Sequence, residues 1–329
     1  MESVVTAHSR RLSNAALVHL SAALAAGLCL LHWSMVDYPE RLFQLSWHNA
    51  IIANQGPYPE QYRFLSFFLA EGLMRLGLPF DWAHAALRWL FTSASLFVFY
   101  RYLTAWFDPL VALLGYFMFA AVLPFTYLFY GMQVTDPLNM LVFLLAFWAI
   151  RDGKDAWLIP LVVLGMLNRE TVLMIPLLYA CVRFDQTSPR RWLWRAAVLA
   201  IIAAAIYAGL RFVFGLKAPY APSGLGAVSG FWHRNAARWT GWVQALAFFN
   251  LALLYAWRHL ERRPVFLRRA LLLVPPFLAI HLSVGNLREI RLFLPLLPVL
   301  IPLTLMELTQ SHTDELAGTV RKGESSMAG

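Results

Sequence analysis

Apolar runs of about 20 residues, repeated along nearly the whole chain, limit what this sequence can fold into. A bilayer's hydrocarbon core is about 30 Å thick, and an α-helix rising about 1.5 Å per residue needs about 20 residues to cross it. Runs of this kind occupy Ala15–Trp33, Trp82–Leu103, Leu110–Tyr130, Pro137–Ile150, Trp192–Val213, Thr240–Trp257, Ala270–Val284 and Leu292–Leu308, with two shorter ones at Ala156–Leu167 and Thr171–Phe184. Backbone polar groups in lipid must be satisfied within their own segment, so each run predicts a helix. The chain is therefore expected to be an all-α, polytopic membrane bundle of about ten spans. Its 14% charged residues fit that reading; a soluble domain carries about 25%. Ala15–Trp33 is too long for a cleavable leader, and no small-x-small cleavage site follows it. Cys29 and Cys181 both sit in apolar runs, which suggests neither a disulfide framework nor a thiolate metal site.

Orientation follows from the arginines. The net charge is +9, but the basic residues fall in short clusters between apolar runs, the pattern that orients a membrane protein rather than one that binds nucleic acid. Most of them, including Arg10, Arg11, Arg151, Arg190, Arg191 and the Arg258–Arg269 group, lie on the side of the N-terminus. That side is expected to be cytoplasmic, with both termini there and the protein in the cell (inner) membrane. The segment 156–184 reads either as one long helix or as a hairpin turning at Asn168-Arg169-Glu170. The hairpin keeps both later arginine clusters inside and is favoured for that reason.

The first outer loop, 36–81, is polar and aromatic where its surroundings are apolar. Glu40–Asn54 and Tyr62–Leu76 mix apolar and polar residues at helical spacing and are parted by Gly56, Pro57 and Pro59. They predict two amphipathic helices lying in the interface. Three regions result: a module over 1–184 that includes this loop, further spans over 185–309 with an outer loop at 214–239, and a disordered cytoplasmic tail over 310–329.

With that topology, acids and bases from separate loops collect on the outer face. Asp37 follows the first span; Asp136 lies in Thr-Asp-Pro, where Pro137 suits a first helical turn and Asp136 its N-cap. Arg169-Glu170 sits in the hairpin turn, and Arg288-Glu289 with Arg291 follows Gly285. Ionisable residues at membrane depth are costly and point to function; the bland reading is ion pairs that hold span ends together. A first span closing on an acid, an outer loop with two surface helices and a later Asp-Pro opening a span resembles the GT-C class of membrane glycosyltransferases, which includes protein mannosyltransferases and the lipid A aminoarabinose transferase. The resemblance covers roughly the first half, 15–184. It implies Asp37 and Asp136 as the catalytic acids of the first and second outer loops. Asp37-Tyr38-Pro39-Glu40 is not an Asp-x-Asp pair, so no metal is expected, and no cofactor.

Sugar transfer from a polyprenyl-phosphate donor needs a base for the acceptor hydroxyl, here Asp37, and fixed positive charge for the departing phosphate. Arg63, Arg169, Arg288 and Arg291 are the candidates for that charge, with Glu40, Tyr62, Glu170 and Glu289 beside them as substrate-binding residues. His233 and Arg234 in the loop 214–239 are expected to close over a glycan, lipid or protein acceptor. Membrane lipids are the remaining partners. Two other readings stay open: a transporter or flippase for a lipid-linked sugar, and a polysaccharide polymerase or ligase acting through His233 and Arg234.

Overall fold

Helix α1, Asn14–His32, starts at Ser13, whose hydroxyl accepts from the Ala16 amide at 3.1 Å. It does not stop where its apolar run ends. It continues into a π turn, Trp33–Asp37, closed by the Tyr38 amide donating to the Trp33 carbonyl at 2.8 Å. This wider i→i+5 turn carries Asp37 around to the face of His32. The first span thus contains the acid that sequence reading places just beyond it.

The computed structural model describes residues 12–127, 134–184, 188–217, 235, 238–249 and 252–309. After α1 come α2 (Arg41–Ile52), α3 (Leu65–Arg75), α4 (Phe80–Leu103), α5 (Pro109–Val122) and α6 (Asp136–Arg151). These are followed by α7 (Leu158–Asn168), α8 (Met174–Arg183), α9 (Pro189–Phe214), α10 (Trp239–Phe249), α11 (Ala252–Ala256), α12 (Val265–Ala270), α13 (Val274–Val284) and α14 (297–309). Among the described residues there is no strand. The two helices expected in the first loop form as α2 and α3, each shorter than its sequence pattern by a few residues.

Five stretches are long and apolar enough to cross a membrane: Asn14–Asp37, Pro109–Tyr127, Pro189–Phe214, Val265–Ser283 and Ile290–Thr309. They mark a membrane-embedded helical protein. They also differ in depth within the bundle. Of the most apolar window, 83% is buried in Ile290–Thr309 but only 11% in Pro189–Phe214, so the first is central and α9 is peripheral. Helix α4 has 24 residues, about 36 Å at the α-helical rise, yet its low hydropathy keeps it out of that set. The reason is that it carries His84 and Arg88 turned into the protein, both buried. It packs on α1, α3, α5 and α6, with Phe99 against Phe119 and Tyr102 and Phe143 in the same core.

Segment 156–184 is a hairpin. Asp155, just before α7, accepts from Arg183 at the end of α8 (3.2 Å) and from the Tyr179 hydroxyl (3.0 Å), so the two far ends meet. The turn forms because Arg169 is extended (φ −165°, ψ 135°) and ends α7, and a 3-10 turn, Glu170–Leu173, leads into α8. Gly165 makes the fold-back possible. A Cβ there would stand 2.6 Å from a Val172 methyl and 3.0 Å from Val142. Without a hydrophobic drive between helices in lipid, such close approach over small residues is what holds them together.

The sequence expectation for α6 needs a correction of one residue. Thr135 is the residue before the first turn, and Asp136 and Pro137 are the first two helical positions. Asp136 therefore does not cap the helix, and its carboxylate is committed elsewhere.

Candidate functional site

Two acid–base clusters stand at the same end of the bundle, with a small cavity between them. The first is built on Asp37. Its Oδ2 pairs with His32 Nδ1 at 2.9 Å, and its Oδ1 lies 3.5 Å from Arg88 Nη2. Gln44, on α2, places its amide beside the same carboxylate. His32 is fully buried and Arg88 is 7% exposed, so this carboxylate is held from α1, α2 and α4 at once. One turn from Gln44 and Arg88, on the same helices, His48 and His84 share a hydrogen bond of 3.2 Å, and His48 faces Glu71 of α3 at 3.4 Å. Helices α2 and α4 are thus joined by two polar rungs spaced i, i+4.

The second cluster is built on Asp136. Its Oδ1 binds Arg169 and its Oδ2 accepts from Arg291 Nη1 at 2.9 Å. Arg291 also donates to Glu289 at 2.8 Å. All three of Asp136, Arg169 and Arg291 are at least 94% buried, and buried charges persist only when paired in this way. Beside them, Arg63 donates Nε to Glu170 Oε2 at 2.8 Å, binds the other Glu170 oxygen, and reaches Glu60 at 3.5 Å. Burial works against ionisation of the Glu170 carboxyl, but the Arg63 guanidinium outweighs it and holds the group down at about 2. Glu60, more weakly held, is raised by burial. Asn168 ties the turn in place, donating to the Thr135 carbonyl (2.8 Å) and accepting from Ser66 (2.6 Å).

The cavity has a volume of about 30 Å³ and is lined by Arg88, Ser95, Thr126, Tyr127 and Asp136, with Leu294 among its apolar walls. That is room for water and too little for a sugar. Arg88 on one wall carries the Asp37 pair, and Asp136 on the other carries the arginines. Arg88 Nε and Ser95 Oγ on this lining, and Arg169 Nε beside Asp136, are buried with no hydrogen-bond partner, so unused donors stand among mostly apolar walls.

Sequence reading and structure differ in several particulars. Arg169 and Glu170, adjacent in sequence, do not pair with each other; each bonds an acid or base from another loop. Three of the four arginines proposed to meet a phosphate, Arg63, Arg169 and Arg291, are bonded to carboxylates. The stem of Arg288 packs against Gly241 of α10. Glu40 is exposed and precedes α2 without side-chain bonds to either cluster. Tyr62 turns away, its hydroxyl donating to the Gly215 carbonyl at 2.8 Å. His233 and Arg234 lie outside the described residues, as do the terminal segments 1–11 and 310–329. Among the described residues, no three His, Cys, Asp or Glu side chains converge as a metal site requires.

Sequence reasoning missed His32, Arg88, Gln44 and Asn168. Arg88 was visible as a charge inside an otherwise apolar run, a pattern that marks functional positions. His32 was hidden because the π turn, not α-helical spacing, brings it to Asp37. Compared with known proteins, the chain matches no family model, and neither the curated proteins nor the solved structures contain a significant match.

Proposed function

We propose that the chain is a membrane glycosyltransferase of the GT-C type, moving a sugar from a polyprenyl-phosphate donor to a hydroxyl of a glycan, lipid or protein acceptor on the extracytoplasmic face. One observation carries the reading: Arg88, paired with Asp37, and Asp136, from distant parts of the chain, line one small cavity at one end of an apolar bundle. On this reading Asp37 takes the proton of the acceptor hydroxyl. The acceptor oxygen bonds the anomeric carbon as the carbon–oxygen bond to phosphate breaks, and that electron pair leaves with the phosphate. Asp136 is a positioning residue, tying the hairpin turn through Arg169 and the segment before the last span through Arg291 to the wall of the cavity. The cavity is closed to a sugar, so substrate entry requires its walls to part.

The topology that goes with this has ten passages, with α7 and α8 as short arms and both termini cytoplasmic. Support comes from the ion pairs, since Asp37, Asp136 and Glu170 group at one end while Asp155 and Glu307 pair with Arg183 and Arg263 at the other. The test is transfer by purified protein from a polyprenyl-phosphate sugar. Loss of transfer in Asp37→Asn with a normal melting temperature is expected; full transfer by that variant overturns Asp37 as the base, and no transfer by the wild type overturns the reading. The transporter reading draws on one observation, the buried Arg88 within α4. Sugar-lipid movement across proteoliposomes without product formation would favour it.

A further inference from the structure

Arg211 lies near the end of α9, outside both clusters, and is bonded unlike the arginines within them. Its guanidinium carbon stands 3.3 Å from the centre of the Tyr207 ring, 4.4 Å from that of Tyr62 and 5.5 Å from that of Tyr58. Its Nη1 donates to the Tyr207 carbonyl at 2.9 Å. Among the described residues no carboxylate pairs with it. Glu170 borders the same small cavity, together with Tyr62, Tyr207, Met166 and Leu210, but both of its oxygens are taken by Arg63. A guanidinium clamped on its faces by tyrosines keeps its N–H edge for an acceptor, and the natural planar or tetrahedral acceptor is a carboxylate or phosphate.

A second cation stands nearby. Tyr62 receives the Lys217 backbone amide at 3.1 Å, and the Lys217 ammonium donates to the Asn54 carbonyl at 2.6 Å, with no carboxylate paired to it among the described residues. Gly215, at φ 73°, ends α9 and lets the chain turn so that Tyr62 can seize its carbonyl. Next to these cations the surface is strongly apolar: Phe212, Val213 and Leu216 are 91%, 71% and 88% exposed. Two cations that pair with no carboxylate among the described residues, beside exposed apolar side chains, suit an anion that arrives attached to a hydrocarbon tail.

We infer that Arg211, backed by Tyr58, Tyr62 and Tyr207 and assisted by Lys217, binds the phosphate group of a membrane-embedded lipid. This deepens the transferase reading, on which the lipid is the polyprenyl-phosphate carrier. It also moves the phosphate contact away from Arg63, Arg169 and Arg291, which carboxylates already neutralise. The same chemistry would hold the phosphate of a bulk phospholipid.

The experiment is native mass spectrometry of the full chain in detergent, titrated separately with farnesyl phosphate, farnesol, inorganic phosphate and phosphatidylglycerol. Wild type is expected to retain farnesyl phosphate, and Arg211→Ala to weaken it by about tenfold or more, the scale of one charge-assisted contact. Arg211→Lys guards against a folding artefact and is expected to fall between, while Arg190→Ala at the opposite end leaves retention unchanged. Farnesyl phosphate outcompeting phosphatidylglycerol assigns the site to the carrier, and equal competition assigns it to bulk phospholipid. Retention by Arg211→Ala at the wild-type level, or equal retention of farnesol or of inorganic phosphate, overturns the inference. Asp37→Asn is expected to bind as wild type does. If the wild type retains farnesyl phosphate but transfers no sugar, the transferase reading fails while the phosphate site stands.

Discussion

Asp136 and Arg291 lie 155 positions apart in sequence and 2.9 Å apart in space, and Arg169 holds the other oxygen of the same carboxylate. One acid thereby joins the start of α6, the hairpin turn and the segment entering the central last span. Removing it strands the buried Arg169 guanidinium in low dielectric and leaves Arg291 to Glu289 alone.

Asp136→Asn is accordingly expected to destabilise the protein by about 3–5 kcal/mol, the cost of breaking a buried pair from one side. Thermal unfolding in detergent measures it. A variant that melts within a degree of wild type would show that the carboxylate does not carry this role.

Asp37→Asn is expected to act on turnover instead. The amide keeps the shape and cannot take a proton, so transfer falls by about 10²–10⁴, the usual contribution of a positioned base. Initial rates at saturating donor, with melting followed in parallel, separate this from the Asp136 effect.

Gly165→Ala tests the hairpin. The added methyl meets Val172 at 2.6 Å, and overpacking of this kind costs about 1–3 kcal/mol. The loss is expected in melting temperature, and Val172→Ala in the same chain is expected to restore much of it. An unaltered melt in Gly165→Ala would mean that the turn packs less closely than described.

The two carboxylates on Arg63 give opposite acid responses. Glu170 sits below its ordinary range, at about 2. Its stabilisation is fully present above the unfolded value near 4.5 and fades as pH falls toward 2. Glu60 sits above its ordinary range because of burial, so its ionisation opposes folding at neutral pH, and acid relieves that through its raised value. Melting curves between pH 7 and 3 are expected to show Glu170→Gln less stable than wild type at pH 7, the gap narrowing below about 4.5. Glu60→Gln is expected to be no less stable at pH 7 and to lose any advantage on acidification. The reverse ordering would sink this account of Arg63.

The apolar repeats made the helical class readable, and the loop acids made the site's end of the bundle readable, because both depend on composition alone. Asp37, Asp136, Arg169 and Arg291 could be nominated one by one. Their partners could not, since the cross-loop pairing of Arg169 with Asp136, in place of neighbouring Glu170, is decided by the fold-back at Gly165. Arg211 was passed over because its setting is aromatic rather than acidic, and the tyrosines that frame it come from positions about 145 residues apart. The extra reach of the first span was invisible for a different reason: ordinary helical spacing puts Val36, not Asp37, over His32.

That π turn has a further consequence. It stores one residue more than an α-helical turn holds, so the same residues rewound as regular helix would carry the acid roughly 100° further around the axis, the angle per residue of an α-helix, away from His32 and Arg88. Deleting a single position between 32 and 37 would have the opposite effect, returning the acid to the i+4 place over His32 in regular helix. Whether this chain presents its carboxylate to the interior or to the bilayer is thus decided by the match between the length and the winding of one short segment, with no change in any residue that touches it.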